Sequence, residues 1–207
     1  MDNPLIRLKN IYYKLNENLI IDNVSININQ GQPTVIMGKN GAGKTTLLKL
    51  LAGIYKPTSG YIDFGKTKSP DIVSFLFQQH IFLDRSVSEN LLHALTCTKK
   101  DDRDMSEQKI KDYLNEFNLT DYHDTHINKL STGQKQLISL IRVFLIDSSI
   151  FFLDEPFNNL DQYYYSYVKD LLSDLSKTRK IILITHSRDE ALYFTNDIIS
   201  LETGRVV

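Results

Sequence analysis

The chain has 207 residues, a length suited to one domain with a single sizeable core. Its 24 basic and 25 acidic residues leave a net charge of −1, which excludes a general electrostatic pull toward nucleic acid or acidic lipid. Cys97 is the single cysteine, so an intramolecular disulfide and a cysteine-based zinc site are excluded, and a reducing cytoplasm is expected.

The opening MDNPLIRLKN lacks the basic leader and apolar core of a secretory signal. LIRLKNIYYKL and LIIDNVSINI alternate or are rich in β-branched residues and predict two strands, and TVIMG predicts a third that ends at a glycine turn. A helix is expected over KTTLLKLLAG, stopped by Gly53 and KPTSG. YIDFG and IVSFLF predict two further strands. Residues 80–130 change character: VSENLLHAL and EQKIKDYLNEF carry helical patterns around the mixed-charge KKDDRD, as in a helical lobe inserted into an α/β core. Beyond it come a helix over 132–146, the buried-strand pattern SSIFFLDE, a helix near 161–177 and a second buried strand, KIILITH. IFFL and IILI, among the longest apolar runs, fall far below the roughly 20 residues needed to span a bilayer. Work at a membrane would require docking on another chain.

Strands alternating with helices predict an α/β fold with a mostly parallel sheet and a site at the carboxyl ends of its strands. GKNGAGKTT, residues 38–46, fits G-x-x-x-x-G-K-[ST] between a predicted strand and a predicted helix. Glycines let backbone N–H groups turn inward, and the helix dipole adds positive potential where phosphates sit. Gly38, Asn40, Gly41, Ala42 and Gly43 would form the cradle. Lys44 would reach the β- and γ-phosphates, Thr45 would ligate Mg²⁺, and Thr46 would lie near the α-phosphate. In IFFLDEP, Asp154 would hold the metal through water and Glu155 would polarise the attacking water. An acid pair at a strand end is by itself more often a solvated turn; the cradle reverses that reading. Ser131 and Gln134 in LSTGQ have capping-box spacing, so a plain helix start is the bland reading of that stretch.

In this order, the motifs resemble the ATP-binding-cassette (ABC) ATPases over nearly the whole chain. The resemblance implies a P-loop NTPase core with an N-terminal antiparallel β part, the core over about 1–78 and 146–207 and a helical subdomain over about 79–145. ATP and Mg²⁺ are the implied cofactors. LSTGQ resembles the family signature LSGGQ, so Ser131, Thr132, Gly133 and Gln134 would touch the γ-phosphate of a nucleotide held on a second subunit. The working unit would be a head-to-tail dimer, of identical chains or of paired cassette subunits, with two ATP molecules between them. Gln78 of FLFQQHIF aligns with the Q-loop glutamine that contacts magnesium and water, with Gln79 as the neighbouring alternative. His186 of ILITHS aligns with the switch histidine, and Asp161 of NNLD with the D-loop residue that acts across the dimer. Three positions depart from the pattern. Thr132 replaces a signature glycine, Leu15 aligns where an aromatic residue usually stacks on adenine, with Tyr13 as a substitute, and Leu137 replaces a basic residue while Lys135 remains.

This resemblance implies an energy-coupling subunit, peripheral on the cytoplasmic face of the cell membrane. Its partners would be integral membrane permease subunits, with or without an extracytoplasmic solute-binding protein, and no nucleic acid. A soluble translation or DNA-repair ATPase is the alternative, disfavoured by a single cassette without coiled-coil insertion or basic arm. FQQHIFLDRSVSENLLHAL is similar to the matching segment of tungstate and related oxyanion importers, while the short length and DEPF resemble haem-export cassettes. With ETGRVV at the end, no C-terminal regulatory domain is expected. HDTH is expected to be solvated and YYYSY to be a packed helix face.

Overall fold

The computed structural model describes residues 4–65, 73–96 and 103–207; Cys97 and residues 99–102 of the mixed-charge run lie outside them. Strands β1 (Ile6–Leu15) and β2 (Asn18–Ile28) pair antiparallel, with Ile6 opposite Ile28 and Leu8 opposite Ile26. After β3 (Thr34–Met37) and helix α1 (Lys44–Leu51), strand β4 (Ser59–Asp63) returns to the other edge of β1, completing a three-stranded antiparallel sheet. Alternation predicts one buried face here, and Ile6, Leu8, Ile11, Ile21, Val24 and Ile28 supply it.

A second sheet is formed by β5 (Val73–Leu76), β6 (Ile150–Asp154), β7 (Lys180–Ile184), β3, β8 (Ile198–Glu202) and β9 (Arg205–Val206), in the order β5-β6-β7-β3-β8-β9. All its pairings are parallel except the terminal β8–β9 hairpin. Continuous apolar runs such as IFFL are what a sheet covered on both faces requires. Ile150 and Phe152 point to a core shared with α1 and the antiparallel sheet, while Phe151 and Leu153 point to a core shared with the helices on the other side.

The inserted elements are α2 (Val87–Thr96), α3 (Arg103–Glu116) and two 3₁₀ turns that lead into α4 (Thr132–Phe144). Leu91, Leu95, Ile110, Leu114 and Phe117 pack with Ile138 and Ile141 of α4, and through α4 this cluster runs onto the parallel sheet. Helix α5 (Gln162–Leu175) covers the same face through Val168 and Leu172; Tyr164, Tyr165 and Tyr167 pack there, while Tyr163 is exposed. His123 pairs with Asp124, and His126 with Asp84. The α/β fold expected from the sequence is therefore present. Helix α6 (Arg188–Phe194) and the β8–β9 hairpin extend it beyond the predicted elements. No helix among the described residues is long and apolar enough to cross a membrane.

Candidate active site

Between the end of β3 and the start of α1, residues 38–43 turn back on themselves. Gly38, Gly41 and Gly43 have φ of 151°, 79° and 98°, backbone shapes that side chains resist. A Cβ on Gly38 would stand 2.2 Å from the Leu201 carbonyl oxygen of β8, so the loop presses directly on that strand. The C-terminal hairpin adds further support. Gly204 donates its N–H to the Ala42 carbonyl at 3.0 Å and accepts from the Asp22 N–H of β2 at 2.9 Å, and Arg205 pairs with Asp22 at 2.6 Å. Lys44 is buried, and its Nζ donates to the carbonyls of Gly38 (2.8 Å) and Lys39 (3.0 Å). Its charge thus lies across the mouth of the loop.

Opposite the loop, β6 ends on Asp154. The Thr45 hydroxyl, in the first turn of α1, donates to Asp154 Oδ2 at 2.7 Å. Burial raises the proton affinity of this carboxyl above its ordinary value, and the hydrogen bond from Thr45 opposes that effect. Two hard oxygen donors thus converge on one point, with a carboxylate whose ionised form needs a cation; these groups fit Mg²⁺, which favours few protein oxygens and retained waters. The next residue, Glu155, has left-handed backbone (φ 51°), and its side chain is only 11% exposed. Gln78 Nε2 approaches Glu155 Oε2 at 3.4 Å, Asn158 Nδ2 donates to the same oxygen, and His186 Nδ1 lies 3.9 Å from Oε1. Beyond β7, Thr185 is hydrogen-bonded to Glu190 and Ser187 caps α6, which fixes the turn carrying the exposed His186. Gln78, Asp154, Glu155, Asn158 and His186 border one cleft of about 1190 Å³, which also takes in Gly38–Gly41, Gly43–Thr46, Arg188 and the apolar Ile20 and Leu201.

Ser131 and Gln134 form the reciprocal capping box at the start of α4. Glycine at 133 has a local reason as well, because a Cβ there would lie 2.8 Å from the Asn159 carbonyl oxygen. Neither these residues nor Thr132 line the cleft. Asp161 caps α5, accepting from the Tyr164 N–H at 2.9 Å. A polar face of α4 ties together the loops that follow β5 and β6. Gln136 donates to the Pro156 carbonyl at 2.7 Å, Ser139 hydrogen-bonds His80 at 3.0 Å, and Arg142 donates to the Ile81 carbonyl at 2.7 Å. Leu137 on the same helix is buried.

Tyr13, expected near adenine, stacks on Tyr55 with ring centroids 5.2 Å apart and packs beside the core under the antiparallel sheet. Leu15 is exposed at the end of β1, and neither residue lines the cleft, where Ile20 of β2 does. Among the residues to which the sequence gives no role, Asn158, Arg188 and Gly204 belong to the site's surroundings. For Gly204, the only available signal is a Thr-Gly pair between short β-rich runs; for Asn158, its place at the head of NNLD, two residues beyond Pro156.

Residues 21–158 match the family described as ABC transporter. The spermidine/putrescine import ATP-binding protein PotA of Legionella pneumophila is 30% identical over 215 residues, covering 100% of the chain and 59% of the PotA protein. The chain thus spans about three fifths of that relative's length. A Chlorella vulgaris protein named "Probable sulfate/thiosulfate import ATP-binding protein CysA" is 31% identical over 213 residues, covering 98% of the chain and 89% of that protein. Among solved structures, a dimeric ATP-binding cassette in a post-hydrolysis state, bound to ADP and Pi, superposes with a TM-score of 0.86 at 27% identity, covering 97% of this chain and 96% of the other.

Proposed function

The chain belongs to the ABC transporter family, and from that premise we propose that it is an ATP-binding and ATP-hydrolysing subunit that drives solute transport through separate membrane subunits. The observation that carries this reading is the single cleft where the glycine loop, Lys44, the Thr45–Asp154 pair, Glu155, Gln78 and His186 meet. Its shape suits a nucleoside triphosphate with its phosphates on the loop and the N-terminus of α1.

In this reading, Lys44 exchanges its carbonyl contacts for β- and γ-phosphate oxygens. Thr45 and Asp154 would hold Mg²⁺, with Gln78 at the rim, and the ion would supply neutralisation of the charge on the triphosphate. Water attacks the γ-phosphorus as the bond to the bridging oxygen of ADP breaks and its electron pair leaves with ADP. Glu155 accepts the water's proton, and His186 contacts the γ-phosphate. The chain supplies mainly position and a polar surround for the charge that develops.

Ser131, Thr132, Gly133 and Gln134 lie off the cleft, which supports contact with the nucleotide of a second cassette, as does the dimeric state of the ADP- and Pi-bound relative. Asp161 would speak across that interface from the cap of α5. We read residues 79–145 as a helical subdomain that passes the motion of closure to membrane permease subunits, with the chain working at the cytoplasmic face of the membrane. PotA and CysA carry names for a polycation and for oxyanions at nearly equal identity to this chain. That parity supports cargo selection by partner subunits, including any extracytoplasmic binding protein.

Purification of the tagged protein from its native cells in mild detergent, with mass spectrometry of what stays bound, tests the transport reading. A multi-span membrane protein among the partners is expected. Ribosomal or DNA-associated partners in its place would overturn transport and leave the ATPase chemistry standing.

A further inference from the structure

A glutamate that takes a proton from water must hold one carboxylate oxygen toward the water, and a long side chain does this only if something fixes its rotamer. Glu155 sits in a turn whose backbone is pinned at both ends. Its N–H donates to the Ile184 carbonyl at 3.1 Å, and its carbonyl accepts from the Asn158 N–H at 3.3 Å. The same three-residue turn brings the Asn158 side chain back onto Glu155, where Nδ2 donates to Oε2. Gln78 reaches that oxygen too, but at 3.4 Å and from an exposed position on the loop after β5. The carboxylate is therefore held asymmetrically: both amides gather on Oε2, and Oε1 faces His186. Asn158 also borders the main cleft and a smaller polar pocket of about 230 Å³ behind Glu155, lined with Thr185, His186 and Glu190.

We propose that Asn158 is a positioning residue that clamps Oε2 of Glu155 and so presents Oε1 to the attacking water. The proposal rests on Glu155 acting as the base. The clamp is local to one chain and needs no partner, whereas the contact from Gln78 depends on how the loop after β5 is placed. Asn158 thus keeps the carboxylate aligned whether or not that loop moves. It acts through its donor group, and that distinguishes it from a residue that merely fills space.

Steady-state hydrolysis of Mg-ATP by the purified chain provides the test, with kcat and KM separated for Asn158→Ser, Asn158→Ala and Asn158→Asp. Aspartate conserves shape but replaces the donor with a second carboxylate. Loss of one charge-assisted hydrogen bond from the reacting geometry predicts a kcat lower by about tenfold for Asn158→Ala and on the order of a hundredfold for Asn158→Asp. Asn158→Ser, which keeps a hydroxyl donor, recovers kcat to within about threefold of the parent, and KM for ATP stays within about twofold throughout. In a Glu155→Gln background, Asn158→Ala should cause no further loss of the residual single-turnover rate. A kcat for Asn158→Asp within about threefold of the parent, or a full further loss in that background, would overturn the clamp. Glu155→Gln alone tests the reading beneath it: a parent-like rate in that variant removes Glu155 as base, and the clamp with it, whatever the Asn158 series gives.

Discussion

Lys44 spends its charge on two carbonyls of its own loop, an arrangement that makes sense if phosphate oxygens are to take their place. Lys44→Ala is accordingly expected to abolish ATP binding in a fluorescent-nucleotide titration, and undiminished binding would contradict the cradle. A second buried lysine makes a prediction about stability alone. Lys180, the first residue of β7, donates to the Gln32 carbonyl and to Thr34 Oγ1, and burial pushes its pKa from 10.5 down to about 8, with Asp197 opposing. Between these two values the unfolded chain binds more protons than the folded one at this site. Stability from this group therefore rises with pH across roughly pH 8 to 10.5, by at most about 1.4 kcal/mol per pH unit. Urea melts should show that rise and its loss in Lys180→Met; an unchanged slope in the variant would assign it to other groups.

At the scale of elements, the phosphate loop depends on a part of the chain far from it in sequence. The turn of the β8–β9 hairpin places Thr203 and Gly204 at φ 45° and 81°, both left-handed as a two-residue hairpin turn requires. A Cβ on Gly204 would meet the Ile20 carbonyl oxygen at 2.4 Å, and its N–H holds the Ala42 carbonyl. Gly204→Ala should therefore cost about 1–3 kcal/mol in chemical denaturation and weaken ATP binding with it. Stability and affinity both equal to the parent would show that the hairpin does not brace the loop. Much of the fold was legible from period alone, because IFFLD and KIILI have the continuous apolar pattern of strands buried on both faces, and SerThrGlyGln carries its own helix cap. The hairpin was not, since Arg205–Val206 is two residues long and Thr-Gly is a weaker turn signal than Asn-Gly. Helix α6 spans seven residues with Ala191 as its only fully buried one, too little to display a helical period. In the site, motif spacing identified Lys44, Thr45 and Asp154, whereas the Asn158 clamp depends on the left-handed turn at Glu155, which spacing does not reveal.

The whole molecule presents its glycine loop in an open cleft that Ser131–Gln134 do not line, as half of the proposed shared site would. In the proposed reading, a single chain holds the base, the cradle and the groups for the metal. The contact proposed for the signature lies on another chain, and a sequence can indicate that only by resemblance, since the capping box explains the same residues locally. In the proposed reading, ATP joins two such chains. Light scattering of Glu155→Gln after gel filtration, with and without saturating Mg-ATP, measures it most directly, because slowed hydrolysis should trap the closed state. A monomer is expected without nucleotide, and twice that mass with it. A monomeric mass in both conditions, with ATP demonstrably bound, would contradict it.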